Sequence, residues 1–168
     1  MFQLPIRTLD SEHSTGSSEL GQLPDWNLND LYTATDAKEL IRDLNWLEKE
    51  CNEFAKSYEG KLHTLSDKEM LTCIVRNEKI SSISGRIISY AGLLYYQKTT
   101  DADRAKFLSD MQEKITVFTT KLVFFSLEIN SLEDEFLDKL FTKNDELARY
   151  KPVFEKIRAM KPYQLNDE

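Results

Sequence analysis

Apolar residues that recur every three or four positions constrain this chain more than any other feature. Leu40, Leu44, Leu47, Cys51, Phe54 and Tyr58 are separated by 4, 3, 4, 3 and 4 residues. That spacing places all six on one side of an α-helix. Phe107, Met111, Ile115, Phe118, Leu122, Phe125 and Ile129 repeat it at 4, 4, 3, 4, 3 and 4. Between these two segments Met70, Ile74, Ile80, Ile83, Ile87, Ala91 and Leu94 make a third stripe. Only 5 Gly and 4 Pro are present in 168 residues, so tight turns are too scarce for an all-β sandwich or barrel. Three long helices are predicted.

Their limits follow from capping chemistry. Asp36 is the expected N-cap of the first helix, and Gly60 the residue that ends it with a positive φ. Ile41 and Trp46 lie beside the first stripe and predict a second neighbour for it. Ser66-Asp67-Lys68-Glu69 is a capping box, in which Ser66 and Glu69 satisfy each other's free backbone N–H groups. Ser81, Ser82, Ser84 and Gly85 form a small-residue patch. A mid-helix glycine costs roughly 1 kcal/mol relative to alanine, so Gly85 predicts a closely packed neighbour. Thr99 and Thr100 end the second helix and Asp101 caps the third, a link so short that the two must run antiparallel.

Ser131 is the expected cap of a shorter helix carrying Leu132, Phe136, Leu137, Leu140 and Phe141. A last segment with Leu147, Tyr150, Phe154, Ile157 and Met160 is broken or kinked at Pro152, which lacks an N–H and clashes with the preceding turn. The segment from Asn27 to Tyr32 is compatible with either an extended strand or a short turn. No internal repeat is found. The expected fold is all-α, an antiparallel bundle of three long helices plus two shorter C-terminal helices. Residues 1–22, rich in Ser, Thr, Gly and charge, are expected to be a disordered tail, and residues 23–168 one helical lobe.

Composition narrows the function. The formal charge of -7 disfavours nucleic acid, which is bound through clustered Lys and Arg. No stretch approaches the ~20 apolar residues that span a bilayer, and the first residues lack a signal-peptide pattern, so no membrane is expected and a cytoplasmic location is. Cys51 and Cys73 have no metal-ligand spacing and are expected to be buried free thiols. The only histidines are His13 and His63, neither of which belongs to an HExxH or ExxH motif. No GxxxxGK[ST], GxGxxG or GxSxG occurs. Glu133-Asp134-Glu135 could suggest a cation site, but acidic groups after Ser131 more simply complement a helix dipole. No catalytic, cofactor-binding or metal residue is assigned to any position.

Tyr90, Leu93, Tyr95 and Tyr96 crowd the end of the second helix, and Val123 and Phe124 lie off the third stripe. A helix cannot turn all of these to one side. Core packing is the simpler reading, and a surface for a partner domain the sharper one.

Several strings carry a resemblance when taken together. They are LPDWNLNDLY from Leu23, YEGKL from Tyr58, SYAGLLYYQKTTD from Ser89, DMQEKI from Asp110, FFSLEIN from Phe124 and ELARYKPVFEKIRAMKPYQL from Glu146. In this order they resemble the N-terminal region of oligoendopeptidase F, a zinc metallopeptidase family related to thimet-type oligopeptidases. The resemblance implies a helical, cytoplasmic enzyme that hydrolyses short peptides in a channel between two lobes. It implies that zinc is held by an HExxH segment and a downstream Glu in a catalytic lobe that these 168 residues do not include. No zinc or other cofactor is therefore expected in this chain, which should be inactive alone. The implied role is a scaffold beside the channel, with the catalytic lobe in cis or trans as partner and short peptides as substrates of the complete enzyme. The alternative is a free-standing helical module that binds a peptide or protein partner without catalysis.

Overall fold

The computed structural model describes residues 26–164, and the chain is all-α there. The expected tail at 1–22 lies outside the described residues. Helices α1 (Lys38–Tyr58), α2 (Asp67–Gln97) and α3 (Ala102–Thr119) make the body. They are followed by α4 (Val123–Ser131), α5 (Asp134–Lys143), α6 (Asp145–Ala148) and α7 (Lys151–Arg158). Short 3-10 turns lie at Leu62–Thr64, Thr120–Leu122 and Lys161–Tyr163.

Side-chain pairs fix the direction of packing. Glu50 meets Arg76, Trp46 meets Lys79 and Asp43 meets Arg86, so α1 and α2 are antiparallel. Arg104 donates to the Leu94 carbonyl at 2.9 Å and Phe107 lies edge-on to Tyr90, so α3 folds back along α2 as the short Thr-Thr-Asp link predicts. The first stripe enters the core at Leu40, Leu47, Cys51, Phe54 and Tyr58, the second at Met70, Ile74, Ile80, Ile87 and Ala91. Met111, Ile115, Phe125 and Ile129 close it from the third.

Gly60 takes φ 74°, the left-handed conformation that glycine adopts without penalty. The capping box is complete: Ser66 Oγ accepts from Glu69 N, and Ser66 N donates to the Glu69 carboxylate at 2.9 Å. Asp101 Oδ1 accepts from the N–H groups of Asp103 and Arg104. Residues 28–32 form a turn, with the N–H groups of Leu31 and Tyr32 donating to the Leu28 carbonyl.

Three boundaries and one packing expectation differ. The N-cap of α1 is Ala37, tucked into the core, and Asp36 makes no cap. The third stripe is interrupted: the hydroxyls of Thr119 and Thr120 donate to the carbonyls of Ile115 and Thr116, a bond that loosens a helix. The chain tightens into a 3-10 turn there, and α3 and α4 become separate helices. Ser131 closes α4 by donating to the Leu127 carbonyl, and Glu133 stands at the N-cap of α5. Gly85 faces open space, with nothing within 4 Å of the position a Cβ would take, so no close neighbour explains it.

Candidate functional site

The largest apolar concavity among those described lies where α4 meets α7 and the 3-10 turn that follows. It has a volume of about 560 Å³ and is lined by Leu127, Asn130, Val153, Ile157, Met160 and Tyr163, with Ser126, Lys156 and Gln164 around them. Helical phase produces it. Phe125 and Ile129 of α4 and Phe154 of α7 turn inward and are buried. Leu127 and Val153 consequently face out, each 41% exposed, and Met160 and Tyr163 are more open still. Pro152 sits in the first turn of α7, where a missing N–H leaves no carbonyl unpaired.

Arg158 holds the two walls together. Its Nη1 donates to the carbonyls of Ile129 at 2.9 Å and Leu132 at 2.7 Å, at the C-terminal end of α4. Its Nη2 pairs with Asp134. Asn130 is buried on the floor of the groove. Its Nδ2 donates to Gln164 Oε1 at 3.0 Å, while its Oδ1 has no partner among the described residues. An unsatisfied buried acceptor costs about 1–3 kcal/mol, so a donor arriving in the groove would relieve a standing penalty.

The tyrosine-rich end of α2 is divided by the fold. Tyr90 is core, edge-on to Tyr32 at 5.4 Å and to Phe107 at 6.1 Å. Leu93 and Tyr95 are half-buried, and Tyr96 is exposed beside Gly92 and Leu108. Phe124 also packs inward on Phe54, at 6.0 Å, and Val123 is exposed. Trp46 lies half-buried beneath Lys79, whereas Ile41 is exposed and packs on no core residue among the described ones.

Both thiols are fully buried and free. Burial pushes Cys51 up to about 11 and Cys73 up to about 12, which keeps them protonated and poorly nucleophilic. His63 is exposed in the turn after α1. Among the described residues no three His, Cys, Asp or Glu side chains gather as a metal set, and the donors present do not fit a zinc ion. Asp134 and Glu135 occupy the first turn of α5, where the dipole favours them. No single described helix is long and apolar enough to cross a membrane.

Sequence reasoning missed Glu128. Its carboxylate accepts from Gly60 N at 2.6 Å and Leu62 N at 3.2 Å, pinning α4 to the turn after α1. Nothing local signals that role, because the partners are more than sixty residues away.

The family model described as oligopeptidase F, for the N-terminal region of M3 peptidases, matches residues 128–168. The match supports a peptidase M3 N-terminal region. It covers well under half of the chain. It takes in ELARYKPVFEKIRAMKPYQL and the groove residues from Asn130 onward, and leaves LPDWNLNDLY, YEGKL, SYAGLLYYQKTTD and DMQEKI outside. No curated protein and no solved structure matches the chain.

Proposed function

We propose that this chain is a scaffold lobe of a zinc metallo-oligopeptidase of the oligoendopeptidase F type, acting in the cytoplasm beside a channel for short peptides. In this reading the catalytic lobe brings the HExxH segment and the zinc, and it seats against the groove between α4 and α7. The observation that carries the reading is a coincidence of place. The family match at residues 128–168 takes in the end of α4, all of α7 and the 3-10 turn after it, and so most of the groove lining: exposed Val153, Met160 and Tyr163, half-buried Ile157, and the buried acceptor of Asn130, with Leu127 one residue before it. Exposed apolar surface of this kind marks interaction sites on folded domains. No chemical step is assigned to the described side chains.

Co-expression with an HExxH-bearing segment encoded beside this chain tests the proposal. The expected result is co-purification and chelator-sensitive cleavage of a quenched peptide by the complex, with neither part active alone. A complex without cleavage would favour the free-standing interaction module. Cleavage by the isolated 168-residue chain, abolished by a chelator, would sink the scaffold reading.

A further inference from the structure

A second concavity, of about 340 Å³, lies between α1 and α2 and is lined by Arg42, Asp43, Trp46, Lys79, Ile83 and Arg86. Its composition is unusual for a chain of net charge -7: three cations and one carboxylate surround an aromatic and aliphatic floor. The carboxylate is already engaged. Asp43 Oδ2 accepts from the Tyr32 hydroxyl at 2.9 Å and lies 3.5 Å from Arg86 Nη1. Its Oδ1 accepts from Arg42 Nε and Nη2 at 3.2 and 3.1 Å.

The cations are held in place without being fully used. Arg86 is stacked 4.3 Å above the Tyr32 ring and donates to the Leu31 carbonyl. Lys79 Nζ lies 4.8 Å from the Trp46 ring centre and has no carboxylate partner among the described residues. Arg42 leaves its Nη1 without a partner there. Asp43 and Arg86 tie Leu31 and Tyr32 to the bundle. Arg42 and Lys79, both exposed, bring two further positive charges to the pocket.

We propose that this pocket binds an organic carboxylate attached to an apolar or aromatic body. Pre-placed guanidinium and ammonium groups would take the carboxylate through charge-assisted hydrogen bonds, and the Trp46–Ile83 floor would take the body. The volume is at the lower end for small-molecule sites, enough for one residue-sized group. The inference is independent of the peptidase reading.

The test follows the indole N–H resonance of Trp46 in the full 168-residue chain carrying Trp26→Phe, which leaves one tryptophan. N-acetylphenylalanine, its neutral amide and inorganic phosphate are titrated at constant ionic strength. A saturable shift with the acid, absent with the amide, is expected. Lys79→Met, which removes the charge at an exposed position and keeps an apolar stem over Trp46, should weaken it by about tenfold, with an unchanged urea midpoint showing that the fold is kept. A tripeptide ending in a free phenylalanine is titrated in parallel; tighter or weaker binding than the small acid supports the site and tells a peptide terminus from a free acid. The proposal is overturned if the acid gives no saturable shift, if the amide matches it, if phosphate alone saturates the site equally, or if Lys79→Met binds unchanged.

Discussion

At the scale of single residues, two features make predictions that the helical pattern alone does not. Gly85 stands mid-helix, exposed and with open space where a Cβ would go, so alanine should fit without displacing anything. Gly85→Ala is expected to stabilise the chain by about 1 kcal/mol, raising Tm by about 3 °C. A lower Tm would mean that the glycine's backbone freedom is needed. The buried thiols contribute to the alkaline limit. Burial pushes Cys51 up to about 11 and Cys73 up to about 12, from an ordinary value of 9.0. Burial also raises Tyr32, with its hydrogen bond to Asp43 adding to the shift. Each group holds its proton more tightly when folded, so its contribution is complete below its unfolded value and lost as pH rises through the folded one. Urea midpoints should therefore fall from about pH 9 upward, and Cys51→Ala with Cys73→Ala should flatten that decline. A pH-independent midpoint between 8 and 11 would contradict the burial argument.

At the scale of elements, the sequence was legible where a signal is local. Gly60, the Ser66–Glu69 box, the Asp101 cap and the break at Pro152 each act over a few residues, and each is where the pattern puts it. The long stripe from Phe107 to Ile129 hid a break, because apolar period reports which side is inward and says little about threonine hydroxyls competing for helix carbonyls. The groove was illegible for a related reason: it depends on how α4 and α7 are clamped, and the clamps are long-range. Glu128 and Arg158 supply them, joining α4 to the turn after α1 and to α7. Glu128→Ala should cost about 2 kcal/mol, since it strands the N–H groups of Gly60 and Leu62, and Glu128→Gln roughly half of that. Hydrogen exchange at those two amides separates loss of this clamp from general destabilisation. Unchanged protection in Glu128→Ala would show that the bonds carry no energy.

For the whole molecule, the question is how a chain with a continuous core leaves apolar surface open. Of the aromatic residues that crowd α2, Tyr90 was absorbed by the core, so surplus exposed there is reduced to Tyr96. The larger opening lies between α4 and α7, where Leu127, Val153, Met160 and Tyr163 stand together. Surface that serves folding and surface that serves association should respond differently to charge. Leu127→Asp combined with Met160→Glu changes only exposed side chains, so the urea midpoint of the isolated chain should stay within about 0.5 kcal/mol of the parent in stability. The same pair places two carboxylates in the groove and should abolish binding of a hydrophobic dye to the folded chain, as well as capture of the proposed catalytic lobe. Dye binding that survives the double substitution would place the open apolar surface elsewhere, with Tyr96 and Leu93 the next positions to charge. A large loss of stability would instead make these side chains part of the core that holds α4 against α7, and the groove would be a seam of the fold with no partner to receive.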